Sequence, residues 1–123
     1  MMPVRKLKQG DVVLVKFPSS LPPGHEQEGQ RPAIVVGVPI GAIRYPTIIV
    51  VPLTTQGGTW ARKNPNVYPQ LQAGIARLKQ NSIVLLDQVK AVDARRVISY
   101  LGSLTSEDYA PIVEGLLQMI GRE

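Results

Sequence analysis

The side chains able to do chemistry are few: His25, Glu26, Arg31, Thr54, Thr55, Arg62 and Asp87, with Trp60 and Tyr45 as aromatic surfaces. They do not form a serine–histidine–acid order, a phosphate-cradling Gly-Lys loop or a zinc-ligand spacing. Cysteine is absent and His25 is the only histidine, which excludes disulfides, a thiol nucleophile and a His-rich metal centre. Such a set suits a substrate that brings its own nucleophile. RNA does so, because its 2′-hydroxyl can attack the adjacent phosphorus. The protein must then take the 2′ proton, supply a proton to the leaving 5′ oxygen and hold the charge of the phosphorane. Arginine offers a fixed fork of donors to phosphate oxygens, threonine a neutral donor, and a carboxylate or imidazole can move a proton. The set is sufficient without a metal, and no cofactor is expected.

The charge distribution fits a polyanionic partner. The chain of 123 residues carries a net charge of +5. Between Gly29 and Leu86 there is no acidic residue, while Arg31, Arg44, Arg62, Lys63, Arg77 and Lys79 all fall there. After Ser106 the balance reverses, with Glu107, Asp108, Glu114 and Glu123 against Arg122. A basic region of this kind receives phosphates by releasing their counterions, although it also serves solubility alone. With 44% hydrophobic and 19% charged residues, the composition is that of a folded globular chain, read as one domain over residues 1–123. No apolar run reaches membrane-spanning length and Met1 to Lys8 lacks a signal-peptide core, so the expected compartment is the cytosol and no membrane partner is expected.

The elements that must position these residues are mainly strands. Val-rich Asp11–Phe17, Pro32–Val38 and the apolar run Thr47–Leu53 predict strands, with Val67–Leu71 as a weak one and Ser82–Val89 and Arg96–Leu101 as two more. Pro18–Arg31 and Thr54–Pro69 predict long polar loops, which carry most of the candidate side chains. Thr105 predicts a helix N-cap followed by acids at Glu107 and Asp108, with Ile112, Leu116, Met119 and Ile120 on one face. Pro111 should delay or kink that helix. Strands first and a helix last predict a small, bent antiparallel sheet or barrel covered by a C-terminal helix.

The segment Gly24-His25-Glu26-Gln27-Glu28-Gly29-Gln30-Arg31-Pro32 resembles the loop pattern G-[SH]-E-Q-x-G-x-R-P of the MazF/PemK (Kid) toxin family. Further blocks match in order: Gly10–Val13, Val50–Thr55 and Ser82–Asp93. The resemblance implies an SH3-like barrel of the CcdB/PemK type and a homodimer. It also implies a metal-independent endoribonuclease acting on single-stranded RNA (mRNA) at short sequences, which leaves a 2′,3′-cyclic phosphate and a 5′-hydroxyl. The implied partner is a cognate antitoxin with a flexible acidic segment. By position, Arg31 matches the arginine that stabilises the transition state and Thr54 the threonine that contacts the scissile phosphate. Asp87 falls where the PemK-like branch has its proposed base, and His25 matches that branch's choice where others have serine. Glu26 lies in the same loop as a second carboxylate. Thr55, Gln27, Trp60, Arg62, Lys63 and Gln88 are the expected substrate contacts. One position departs: Leu85 stands where the PemK-like branch has an arginine proposed as general acid, which leaves that role to Arg31, to His25 or vacant.

Each residue also has a plainer reading. Arg31 could pair with Glu26 or Glu28, Thr54 could bond local backbone at a strand end, and Asp87 in an apolar strand could serve only to satisfy a partner. Trp60 could anchor its loop rather than stack a base. Two other functions share the fold: a non-catalytic SH3-like binding module, and a gyrase poison, whose tryptophan-bearing C-terminal tail is absent from Met119-Ile120-Gly121-Arg122-Glu123.

Overall fold

The fold follows from which apolar residues must be covered on which side. The computed structural model describes residues 6–18, 29–40 and 44–121. Its strands are β1 (Asp11–Phe17), β2 (Gly29–Gly37), β3 (Thr47–Thr54), β4 (Gln70–Leu71), β5 (Ser82–Val84), β6 (Lys90–Asp93) and β7 (Val97–Ser103), with helices α1 (Thr59–Lys63) and α2 (Ser106–Met119). Side chains alternate across a strand. Val13, Val15 and Phe17 therefore join Ala33, Val35, Ile48 and Val50 in one buried cluster, while Val12, Ile34, Val51 and Leu53 join Val84, Leu86 and Ile112 in another. The central strands are buried on both faces. That is why their sequences are continuous apolar runs rather than alternating ones.

All pairings are antiparallel, in the order β4-β5-β3-β2-β1-β7, with β6 also on β3. β3 is the hub: its first half pairs with β6 and its last two residues with β5. A 3-10 turn, Ala94–Arg96, joins β6 to β7, and Val92 and Val97 close over the first cluster to give a half-barrel. The expected mainly β fold with a C-terminal helix is the fold observed. The chain entry is tied to the last strand by Asp11. Its buried carboxylate accepts from Lys8 N (2.9 Å), Lys8 Nζ (3.0 Å) and Ser103 Oγ (2.8 Å).

Several boundaries differ from the expectation. β2 begins at Gly29, so Arg31 lies within a strand and not in the preceding loop. Residues 19–28 of that expected loop lie outside the described residues. The run Ser82–Val89 is not one strand: β5 ends at Val84, a 3-10 turn covers Leu86–Gln88, and β6 follows. Leu85 and Leu86 are both buried, but in different clusters, Leu85 with Ala61 and Ile83, Leu86 beside Ile112. Consecutive burial came from two neighbours rather than from a strand interior. Val67–Leu71 reduces to the two residues of β4, and α1 forms inside the expected loop Thr54–Pro69.

The C-terminal helix starts where its cap predicts. Thr105 Oγ1 accepts from Asp108 N at 3.1 Å, and Glu107 and Asp108 occupy the first turn. Pro111 neither delays nor interrupts it; it removes one N–H in the second turn of a helix that runs on to Met119. Of the expected apolar face, Ile112 is buried and Leu116 packs against the second cluster, whereas Met119 and Ile120 are exposed.

Gly115 makes the closest contact of α2. A Cβ there would lie 2.4 Å from both Asn66 O and Leu86 Cδ1. Alanine is intrinsically better in a helix by about 1 kcal/mol, yet Gly115→Ala must push α2 away from the turn that carries Asp87. Urea denaturation should show this variant to be less stable than wild type by roughly 1–3 kcal/mol.

Candidate active site

The site begins with strand register. β2 and β3 pair as Ala33↔Pro52, Ile34↔Val51 and Val35↔Val50. Continuing that register by two residues sets Arg31 across from Thr54. Thr54 ends β3, and its Oγ1 accepts from Gln56 N at 3.1 Å, a local turn that fixes the hydroxyl where the chain leaves the sheet. Arg31 and Thr54 line one cleft of about 500 Å³ together with Thr55, Gln56, Trp60, Tyr68, Leu85, Asp87 and Gln88.

Asp87 reaches this cleft from the 3-10 turn after β5. Leu85 N donates to Pro52 O (2.9 Å) and Leu86 N to Val67 O (3.2 Å), so the turn is held between β3 and the segment before β4. Leu86 is buried beneath α2, which leaves Asp87 exposed on the opposite side. The expectation of a charge inside an apolar strand is therefore corrected: the carboxylate stands in solvent reach at the cleft wall.

Tyr68 is the residue that sequence reasoning missed. Its hydroxyl donates to Asp87 Oδ2 at 2.6 Å. Its ring meets Trp60 edge-on, with centroids 4.8 Å apart and planes at 85°. Trp60 in turn lies over Gly58, where a Cβ would come within 2.7 Å of its Nε1. The hydrogen bond to Asp87, with burial and the carboxylate charge behind it, raises the Tyr68 pKa above the usual phenol value. Nothing in spacing or hydropathy pairs positions 68 and 87. The signal is the backbone, since Leu86 N and Val84 N bond Val67 O and Pro69 O on either side of Tyr68.

Of the expected site residues, Arg31, Thr54, Thr55, Trp60, Asp87 and Gln88 converge in the cleft. Arg62 and Lys63 do not line it; they are exposed at the end of α1. His25, Glu26 and Gln27 lie outside the described residues. Among the described residues no group of three His, Asp or Glu side chains is placed to hold a metal.

Comparison with known proteins defines the class as that of the RNA-cleaving toxins. The chain belongs to the PemK-like, MazF-like toxins of type II toxin–antitoxin systems, whose family pattern matches residues 8–120. It is 29% identical over 110 residues to the endoribonuclease EndoA of Bacillus subtilis (strain 168), covering 89% of this chain and 90% of that protein. Its fold is similar to crystalline MazF from Deinococcus radiodurans (TM-score 0.70, 24% identity, 94% of this chain and 96% of that one). It is also similar to a mycobacterial endoribonuclease in complex with its cognate antitoxin (TM-score 0.67, 17% identity, 95% of each chain).

The tyrosine–carboxylate contact has a direct spectroscopic consequence. In an alkaline titration followed by tyrosinate absorbance, Asp87→Asn should shift one of the 4 tyrosines down toward the ordinary value of 10.0. Unchanged curves for wild type and variant would contradict the contact.

Proposed function

We propose that this chain is a metal-independent endoribonuclease that cleaves single-stranded RNA by attack of the substrate's own 2′-hydroxyl. The reading rests above all on Arg31 and Thr54 meeting in one cleft. In this mechanism the scissile phosphate lies between them. The Arg31 guanidinium offers paired N–H donors to the non-bridging oxygens, and the Thr54 hydroxyl adds a further donor. Both stabilise the phosphorane more than the diester, because negative charge accumulates on those oxygens as the 2′ oxygen approaches phosphorus. Asp87 receives the 2′ proton, with Glu26 as the alternative acceptor and His25 as a candidate donor to the leaving group, both outside the described residues. The products are a 2′,3′-cyclic phosphate and a 5′-hydroxyl.

In this reading Trp60, Thr55 and Gln88, which line the cleft, select bases beside the scissile bond by stacking and by hydrogen bonding. Arg62 and Lys63 contact the strand outside the cleft as exposed cations for phosphates. The protein acts in the cytosol as one half of a toxin–antitoxin pair. A cognate antitoxin inhibits it by laying a flexible acidic segment along the cleft that holds Arg31, and two copies associate to give a groove long enough for an RNA strand. The relatives in which an antitoxin is bound support that partnership.

Incubation with a long single-stranded RNA in EDTA should give discrete fragments with cyclic-phosphate and 5′-hydroxyl ends. Arg31→Ala should lower the rate by roughly 10²–10³. RNA that binds but stays intact would favour the binding-module reading, and equal cutting by wild type and variant would exclude Arg31 from the chemistry.

A further inference from the structure

The cleavage proposed above needs a proton for the leaving 5′ oxygen, and the cleft shows where one is available. Leu85, at the position where the PemK-like branch carries an arginine, is 3% exposed and packs with Ala61 and Ile83. A buried hydrocarbon cannot move a proton. Arg31 is a poor substitute, because a guanidinium does not deprotonate in proteins and serves better as a fixed charge on the phosphate. Tyr68 packs against the same cluster as Leu85 and lines the same cleft as Arg31 and Thr54. Its hydroxyl sits 2.6 Å from Asp87 Oδ2, and its ring is held by the edge of Trp60.

We propose, on the basis of the nuclease reading, that Tyr68 is the proton donor to the leaving 5′ oxygen and works as a pair with Asp87. The protons balance within the pair. The 2′ O–H bond breaks and its proton goes to the Asp87 carboxylate as the bond from 2′ oxygen to phosphorus forms. The bond from phosphorus to the 5′ oxygen breaks and takes the Tyr68 proton. Rotation of the Asp87 carboxyl group then carries its new proton to the Tyr68 phenolate, which restores the starting hydrogen bond. The protein ends as it began, and the substrate's 2′ proton has moved to the 5′ oxygen. A phenol suits this role because it is protonated at neutral pH, and the raised pKa of Tyr68 keeps it so.

The test compares two RNAs of one sequence, one ordinary and one with sulfur in place of the bridging 5′ oxygen at the mapped cleavage site. A thiolate leaves without protonation. Tyr68→Phe retains the ring against Trp60, and its fold can be checked by thermal melting. In single turnovers, Tyr68→Phe should slow cleavage of the ordinary RNA by about 10²–10⁴ and cut the sulfur-bridged RNA at the wild-type rate. Arg31→Ala should slow both substrates. Equal slowing of both RNAs by Tyr68→Phe would reduce Tyr68 to a structural role, and an unchanged rate on ordinary RNA would remove it from the reaction; either overturns the proposal. Wild-type protein that cuts neither RNA would instead sink the nuclease reading on which it rests.

Discussion

The register between β2 and β3 is the constraint on which the site depends. A slip of one residue would carry every side chain of β2 to the other face. Here neither face is free to accept a slip, because Ala33 and Val35 are buried in one cluster and Ile34 in the other. A slip would press each side chain into a space shaped for another, and overpacking of that kind costs about 1–3 kcal/mol at each site, so packing on both faces holds the pairing. Arg31 and Thr54 are the polar continuation of that register. A guanidinium and a hydroxyl needed on one phosphate are thus set by hydrophobic residues that never touch a substrate.

The other wall of the cleft is built by a different device. Leu86 is buried under α2 and Gly115 lets the helix approach closely enough to hold it. The 3-10 turn then presents Asp87 outward, where Tyr68 and Trp60 form a chain of contacts back to α1. Along the chain there is no acidic residue between Gly29 and Leu86, so Asp87 is the first carboxylate after a long basic stretch. Among the described residues that line the cleft, Asp87 and Arg31 are the charged pair, one carboxylate and one guanidinium.

Much of this was readable from the chain alone. Both-face burial gave β1, β2 and β3 unbroken apolar runs, and the cap at Thr105 marked the start of α2 to the residue. Arg31 and Thr54 were legible because each falls in a block that resembles the MazF/PemK pattern, although Arg31 was expected in the loop and lies within β2. The turn at Leu86–Gln88 was not, since two leucines buried against different neighbours look like two residues of one buried strand. Tyr68 was hidden for a related reason: it lies 19 positions from Asp87, and only the backbone pairing of Val67 and Pro69 with the β5 region joins them. Pro111 misled in the opposite direction, because the loss of one N–H is tolerated in a helix anchored by Ile112 and its cap.

The central claim is that Arg31 and Thr54 act on the same phosphodiester. A double-mutant cycle on the single-turnover cleavage rate addresses it most directly, using Arg31→Ala, Thr54→Val and the pair together. Two donors to one phosphorane are coupled, so the double variant should be less impaired than the product of the single losses, with an interaction of roughly 0.5–3 kcal/mol. Losses that multiply, with no interaction, would mean that the two side chains serve separate parts of the substrate.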